Sequence, residues 1–468
     1  MDTSQIQEQI VLSDISLPPN IILSRFTIAI DDSESRWFAN TRYGTLARIK
    51  HDALQNPNLI NEVSLFLHNN GFAISSANDN EIFQVQKNLQ EAKSAVNTLD
   101  ITLAPTLGCN FSCYYCFERK TNQFKDGDIL NNELENKILS VIFSNLRGRE
   151  GLNLRWFGGE PLKTLDQILS ISQKLISVCD LAEKKYSAYI QTNGLLLTEF
   201  VSDALVSVRI TDIQITIDGN EDSHNSVRTA IGYSNSYKTI LENIKKALPK
   251  FKNIIIRVNV TEKNCRHIDK LLYDLSLIDP NRKLSIYAAP IYSHYNGKSM
   301  IATTSVGFTG VEEFANFEIE FFKYLLELGY SFSWNFIQPK DLPCSALKVD
   351  AVMIGPDGNI YKCDHELGVP ELRSGHVSTG VDQIDKLAQW IAIHPKDNEF
   401  CSECPLLPSC LGYCASVRSF SKSSTQACPS KKFNYESRLQ LGIENLHTKG
   451  LVDQELDFQI FLKPLFSF

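Results

Sequence analysis

Three cysteines in one short segment, Cys109, Cys113 and Cys116, constrain this chain more than any other feature. Their spacing is C-x3-C-x2-C, and after Cys116 the next cysteine is Cys179 and the next histidine is His224. A tetrahedral zinc site needs a fourth Cys or His ligand close by, which this segment does not offer. Three thiolates suit a cubane of four irons and leave one iron without a protein ligand. The motif therefore predicts an iron–sulfur cluster whose open iron can bind a small molecule.

The composition of the chain is that of an ordinary globular protein. Hydrophobic residues make up 43% of its 468 residues, and charged residues make up 21%. No apolar run is long enough for a membrane span, and the first residues lack the basic and apolar regions of a signal peptide. We therefore expect a cytoplasmic protein, in which disulfides are disfavoured and clustered cysteines bind metal. The formal net charge of −8 argues against a phosphate-backbone partner, so neither nucleic acid nor membrane is an expected partner.

The pattern of apolar and polar residues divides the chain into four predicted parts. Residues 1–98 mix short strands and helices, as in a winged-helix-like module, and Gly44–His51 is predicted to be a turn that enters a helix. Residues 99–310 alternate strands with helices, as in a parallel sheet. A cysteine-rich part follows at 311–430, and 431–468 form a C-terminal helix and tail.

Six strands are predicted in the second part. They are Asp100–Thr106, Asn153–Phe157, Ser187–Thr192, Ile213–Ile217, Ile254–Val260 and Leu284–Pro290. Six βα units are too few for a closed eight-stranded barrel. The predicted fold class is therefore α/β, a partial (β/α)6 TIM-like barrel with a winged-helix-like N-terminal module and a cysteine-rich extension.

Polar or glycine-rich segments follow four consecutive predicted strands. The cysteine segment follows the first strand, and Gly158-Gly159-Glu160-Pro161 follows the second. Glycines let the backbone approach a ligand closely, and Glu160 could hold an ammonium group. Gln191-Thr192-Asn193-Gly194 ends the third strand, and Thr216 stands at the end of the fourth, with Arg228 beyond it. Parallel α/β folds place active sites at this edge, whereas the alternative, ordinary turn chemistry, must be invoked separately at each strand.

With these residues the sequence resembles the radical S-adenosylmethionine (SAM) superfamily over about residues 99–310. The resemblance implies that Cys109, Cys113 and Cys116 hold a four-iron four-sulfur (4Fe–4S) cluster and that SAM chelates its open iron. It places Tyr115 by the adenine. It places the Gly158–Glu160 segment, through Gly159 and Glu160, near the methionine amino group. Thr216 and Arg228 would contact the ribose or carboxylate end.

A second set of seven cysteines extends the resemblance to the SPASM extension, which holds auxiliary 4Fe–4S clusters. By that resemblance an outer cluster and an inner cluster bring the total to three, with ligands Cys401, Cys404, Cys410 and Cys428 for the outer one and Cys344, Cys363 and Cys414 for the inner one. Cys401-x2-Cys404 alone could be half of a zinc site, although seven cysteines do not divide into two complete tetrahedral sites.

The segment Phe336–Pro343 lacks the extra cysteine that fully ligated members carry shortly before the position of Cys344. We therefore hypothesise that the inner auxiliary cluster has an open iron. Asp364 follows Cys363, and the resemblance implies that it serves as a base; the alternative is a solvated loop carboxylate.

The resemblance implies reductive cleavage of SAM to a 5′-deoxyadenosyl radical that abstracts a hydrogen atom. We predict a maturase of a ribosomally made precursor peptide that installs a thioether or carbon–carbon crosslink, with an electron donor such as flavodoxin or ferredoxin. The N-terminal module resembles elements that hold leader peptides by strand addition. Two alternatives remain open: a sulfatase-maturing enzyme that forms formylglycine, and a non-catalytic iron–sulfur electron carrier.

Overall fold

The computed structural model describes residues 21–75, 80–116, 129–261, 264–294, 300–305, 310–395, 399–420 and 428–461. The strands within these residues are β1 (Ile22–Leu23), β2 (Thr27–Asp31), β3 (Ser35–Asn40), β4 (Thr45–Lys50), β5 (Ala73–Ile74), β6 (Thr98–Leu103), β7 (Gly151–Trp156), β8 (Lys185–Thr192), β9 (Ile210–Thr216), β10 (Asn253–Val260), β11 (Ser285–Pro290), β12 (Tyr292–His294), β13 (Met300–Ser305), β14 (Val352–Ile354), β15 (Asn359–Tyr361), β16 (Gly375–His376), β17 (Gly380–Val381) and β18 (Phe458–Phe461).

The α-helices of the described residues lie mainly between these strands. They are α1 (His51–Gln55), α2 (Ile60–Asn69), α3 (Glu81–Ser94), α4 (Asn132–Asn145), α5 (Leu165–Leu181), α6 (Glu199–Ser207), α7 (Glu221–Val227), α8 (Ser236–Ala247), α9 (Ile268–Ile278), α10 (Val311–Glu327), α11 (Ile384–Ala392), α12 (Glu399–Ser402), α13 (Leu407–Cys410), α14 (Ala415–Phe420) and α15 (Lys431–Thr448). No helix among the described residues is long and apolar enough to cross a membrane.

Six consecutive parallel strands form the main part of a ten-stranded sheet. The strands β6 to β11 lie side by side in chain order, each parallel to the next. In strand β10 the apolar residues Ile254, Ile256, Val258 and Val260 are buried at alternate positions, so they share one face, and they pack in one core with residues of the helices. Side chains fix where the helices begin: Asn131 caps α4 and Thr198 caps α6 by accepting backbone hydrogen bonds. The predicted (β/α)6 partial barrel is confirmed.

The cysteine-rich part of the chain continues this same sheet. Strand β14 pairs in parallel with β6, with Ile354 opposite Leu103, and β15, β16 and β17 follow as antiparallel neighbours. Cys363 comes two residues after the end of β15. The sheet therefore joins the segment after β15 rigidly to the strand that precedes Cys109.

A separate four-stranded antiparallel sheet has the order β18-β4-β3-β2. The helices α1 and α2 lie on one face, through a cluster that includes Phe38, Val63 and Leu67, and α15 lies on the other, through Trp37 and Leu439. The prediction of a turn into a helix at Gly44–His51 was wrong. Gly44 closes the turn at φ +66°, β4 then pairs along β3, and the helix starts only at His51. The four-part division of the chain, including the winged-helix-like module, stays a prediction.

Candidate active site

One cavity of about 720 Å³ connects the first three cysteines with the cysteine-rich part of the chain. Its lining includes Cys109, Cys113 and Cys116 from the first segment and Cys414 from the cysteine-rich part. Side chains from the ends or interior of β8, β9, β10 and β11 complete its wall, among them Gln191, Thr216, Asn259 and Tyr287. The strand-end segments singled out in the sequence therefore do meet around one space.

The glycine segment after β7 seats the backbone that leads to Cys109. The Gly159 N–H donates to Thr106 O at 3.1 Å, and the Glu160 N–H donates to Gly108 O at 3.0 Å. A Cβ atom on Gly159 would lie 2.4 Å from Leu107 O, so no side chain fits there. This close approach sets the position of Cys109 relative to the sheet.

The Glu160 carboxylate is completely buried and accepts three hydrogen bonds. Its donors are the Leu162 N–H at 3.0 Å, the Thr192 hydroxyl at 2.7 Å and the Asn193 N–H at 2.8 Å. Burial raises the pKa of Glu160, although these three donors act in the opposite direction. Glu160 is not among the residues that line the cavity, so its observed contacts tie β7 to β8 beneath the site.

Tyr115 is the centre of a buried polar network opposite the glycines. Its hydroxyl contacts the Asp218 carboxylate and accepts from Arg228 at 2.6 Å and from the Asn259 side chain at 3.1 Å. Burial, and next the negative charge of Asp218, raise the pKa of Tyr115, while Arg228 opposes the shift. The phenol therefore stays neutral, and the network holds Arg228 over the Phe111 ring at the cavity wall.

Asp364 lies in the cavity wall and is held by an arginine from the barrel. The guanidinium of Arg155, on β7, donates to both carboxylate oxygens of Asp364, one of these contacts being 3.0 Å long. The Nε–H of Arg155 donates to Thr102 on β6 at 3.0 Å. Burial lowers the pKa of Arg155, but Asp364 and Tyr189 outweigh it and raise the pKa above its ordinary value. The bidentate pair thus joins the barrel interior to the segment after Cys363.

The seven distal cysteines fall into two groups by their electrostatic neighbours. A negative charge on Cys414 raises the pKa of Cys363, and one on Cys344 raises the pKa of Cys414. The charge of Asp364 raises the pKa of all three thiols. In the other group, negative charges on Cys401, Cys404 and Cys410 all raise the pKa of Cys428. Of the seven, Cys414 is the one that lines the cavity.

Burial raises the pKa of Cys428 to about 11, and it also raises those of Cys363, Cys410 and Cys414. Thiols in such surroundings are poor nucleophiles unless a metal deprotonates them. The twelve cysteines, all of them described, form no disulfide. No three Cys, His, Asp or Glu side chains of the described chain converge closely enough for a single metal ion.

The donor set fits an iron–sulfur cluster and SAM better than a mononuclear site. The three cavity cysteines share one wall, and a cubane spreads its ligands over several irons. Two buried polar atoms beside them, Gln191 Oε1 and Arg228 Nε, have no hydrogen-bond partner among the described residues. A polar ligand in the cavity would satisfy both atoms.

The structure brings together most of the residues singled out for SAM and base chemistry. They line the cavity and are Tyr115, Gly158, Gly159, Thr216, Arg228 and Asp364. Residues that do not line the cavity are Glu160, Cys344, Cys363 and the group around Cys428. Arg155 and Asn259 were missed. Arg257 and Asn259 are polar residues at alternate positions of an apolar strand, and that pattern could have marked them.

Comparisons with known proteins agree with this site. The sequence profile of the Radical SAM superfamily matches residues 103–272. No curated protein sequence matches the chain. Hexahistidine-tagged anSMEcpe with bound AdoMet (SAM) has a TM-score of 0.54 at 16% identity, covering 76% of this chain and 97% of its own. Native anSMEcpe with bound AdoMet and the Kp18Cys peptide has a TM-score of 0.55 at 16% identity, covering 76% and 100%.

SuiB from Streptococcus suis covers 86% of this chain and 97% of its own at 16% identity, but its TM-score of 0.47 does not establish a shared fold. The similarity to anSMEcpe does show a shared fold. The radical SAM profile match over residues 103–272 implies SAM and a 4Fe–4S cluster as cofactors. With the profile match over most of the barrel and the cysteine loop after its first strand, residues 103–272 of this enzyme are a radical SAM domain.

Proposed function

We propose that this enzyme matures a ribosomally made precursor peptide by abstracting a hydrogen atom and installing a thioether or carbon–carbon crosslink. One observation carries the proposal. The three-cysteine loop and Cys414 face a single cavity, with Asp364 also in its wall. A substrate in this space would contact the groups that begin a radical reaction and those that accept the electron at its end.

In this proposal three 4Fe–4S clusters are bound. Cys109, Cys113 and Cys116 ligate the cluster that binds SAM; Cys401, Cys404, Cys410 and Cys428 ligate the outer auxiliary cluster, and Cys344, Cys363 and Cys414 the inner one. When bound, SAM and its cluster supply the carbon-centred oxidant that removes a hydrogen atom. The inner cluster, with three protein ligands, keeps an open iron for a substrate thiolate.

The chain's own residues position the cofactor and exclude water. Gly158 and Gly159 line the cavity where the methionine part would lie, and Thr216 and Arg228 supply a hydroxyl and a charge beside it. Tyr115 orients Arg228 through a 2.6 Å hydrogen bond. The predicted position of Glu160 near the ammonium group is indirect, because its carboxylate already accepts three protein hydrogen bonds and the residue does not line the cavity.

Asp364 is the proposed base for the proton that leaves when the substrate radical is oxidised. Its side chain is 35% exposed and faces the cavity, so a substrate group can reach it. Arg155 holds the carboxylate by two hydrogen bonds and thereby fixes its direction. A fixed carboxylate oxygen is what general-base catalysis needs.

The proposed partners are the precursor peptide and a reduced flavodoxin or ferredoxin. The fold is shared with anSMEcpe, which has been solved with the Kp18Cys peptide bound. An extended peptide also suits a sheet edge in the N-terminal module, since strand addition supplies backbone hydrogen bonds without fixing side chains.

The test is anaerobic incubation of the reconstituted enzyme with SAM, a reductant and the peptide encoded by a short reading frame beside its gene. We expect 5′-deoxyadenosine and a peptide that has lost two hydrogens. The proposal fails if the enzyme makes no 5′-deoxyadenosine under any condition, or if the sole product is formylglycine.

A further inference from the structure

The last described strand of the chain fills an edge of the N-terminal sheet. Strand β18 pairs antiparallel with β4, with Gln459 opposite Arg48 and Phe461 opposite Leu46. The Lys50 N–H donates to Asp457 O at 3.0 Å in the same register. Because hydrogen-bonded pairs alternate along an antiparallel ladder, the N–H groups of Gln459 and Phe461 point towards β4.

The side chains of β18 enter pockets on both faces of the sheet. On one face Phe461 is 2% exposed and stacks on Trp37, with ring centroids 5.6 Å apart. On the other face Phe458 packs against Phe66 at 5.5 Å, beside Ile460. The edge of β4 therefore has two aromatic pockets, one on each side.

Basic side chains of β4 bind the segment that precedes β18. The guanidinium of Arg48, which is 1% exposed, donates to Asp453 O at 2.7 Å and to Leu456 O at 2.6 Å. The Lys50 ammonium lies 3.4 Å from Glu455 O and 3.7 Å from the Asp457 carboxylate. Burial lowers the pKa of Arg48, and the negative charges of Asp32, Asp453, Glu34 and Asp457 oppose this shift. The edge thus combines cationic and aromatic recognition.

We propose that the edge of β4 is a binding site for an extended peptide with acidic residues followed by aromatic ones, and that Asp453–Phe461 occupies it as an intramolecular stand-in. The segment reads Asp-Gln-Glu-Leu-Asp-Phe-Gln-Ile-Phe, which matches the charges and pockets in order. The inference rests on the proposed function, since the precursor peptide is the ligand that would displace the segment.

A short tethered strand is suited to reversible release. Four paired residues hold β18, and an incoming strand of the same pattern would restore each ladder hydrogen bond that β18 gives up. The tether keeps the segment at a high local concentration, so a weakly matching peptide is rejected and a well-matching one is admitted. The edge therefore selects its partner by competition.

The test measures binding of a fluorescein-labelled synthetic peptide with the sequence of residues 453–461. The proteins are the intact chain, Gln459→Pro and the matched control Gln459→Thr. Both substitutions remove the Gln459 side-chain bonds to Leu451 and Asp453, but only proline removes the N–H directed at β4. We expect the probe to bind the proline variant at least ten-fold more tightly than the other two proteins. Equal affinities for all three proteins would overturn the proposal.

Hydrogen exchange on the intact chain gives a readout that does not depend on the variants folding. If β18 detaches on its own, the amides of Gln459 and Phe461 exchange at least ten-fold faster than those paired between β3 and β4. Equal protection would mean that β18 opens only with the whole sheet, and the proposal fails. Neither measurement needs SAM or a metal cluster, so their failure is distinguishable from absent 5′-deoxyadenosine, which would overturn the proposed function instead.

Discussion

Substituting Gly159 by alanine tests whether the glycine segment positions the cluster-binding loop. The added Cβ would lie 2.4 Å from Leu107 O and 2.6 Å from Gly108 O, whereas real Cβ atoms keep at least 3.0 Å. The loop must therefore retreat by about 0.6 Å, and overpacking of this kind costs roughly 1–3 kcal/mol. Gly108 is bonded to Cys109, so the shift reaches the first cysteine.

A misplacement of about 1 Å can lower a reaction rate about 100-fold, so we expect Gly159→Ala to lower SAM cleavage roughly 10- to 100-fold. The assays are iron content after anaerobic reconstitution, 5′-deoxyadenosine release and urea unfolding. Gly148→Ala is the matched control. Gly148 has φ +73° with nothing within 4 Å of an added Cβ, so alanine there costs roughly 1–2 kcal/mol of backbone strain without a clash.

The control should lose stability yet keep full SAM cleavage. If Gly159→Ala loads iron and cleaves SAM as the unaltered enzyme does, the contact between the glycines and the loop does not position Cys109, and the steric reasoning is refuted.

Three further predictions concern the clusters, the proposed base and the N-terminal sheet. Cys113→Ala should abolish SAM cleavage, whereas Cys428→Ala should keep some cleavage but lose product; full cleavage in both variants contradicts this division. Arg155→Gln should lower product formation about ten-fold while SAM cleavage continues, because Asp364 loses two charge-assisted hydrogen bonds worth roughly 1–2 kcal/mol in a partly exposed pair; an unchanged product rate contradicts the positioning role. Asp32→Asn should cost about 1–2 kcal/mol in urea unfolding at pH 7. Burial raises the pKa of Asp32, but hydrogen bonds from Trp37 and the following backbone outweigh it and lower the pKa. The stabilisation is therefore complete above pH 3.8 and disappears as the pH falls through the lowered value, so the gap between the two proteins should close in acid.

Local patterns were enough to predict the barrel because its strands are determined by nearby residues. The six predicted strands overlap β6 to β11, and the helices begin where Asn and Thr side chains cap them. The segment Gly44–His51 failed for the opposite reason. Its strand conformation depends on β3 on one side and on β18 on the other, and β18 lies about 400 residues away in the chain.

The site was predicted where a strand end carries the functional residue and missed where two distant segments meet. The apolar pattern reveals the strands that lead to Tyr115, Thr216 and Arg228. Since these residues lie at or after the ends of neighbouring strands, their approach to one cavity could be expected. The pairing of Arg155 with Asp364 could not, because it requires β14 to pair with β6 and the chain to turn back through β15. Pairing of short strands across the chain leaves little periodic signal.

The sheet also sets the level of Cys363 relative to the loop of Cys109. Strand β15 runs antiparallel to β14 and β6, so Cys363, two residues beyond its end, lies towards the edge of the sheet opposite to the loop of Cys109. By the strand register Cys363 is level with about Asp100, three residues before β6 ends at Leu103. This offset is roughly 10 Å along the strand direction. Asp364, the residue after Cys363, lines the cavity, so a substrate that extends from the Cys109 loop in that direction meets the carboxylate that Arg155 holds. Three residues of extended peptide cover about 10 Å, so the proposed peptide substrate is long enough to reach from one level to the other.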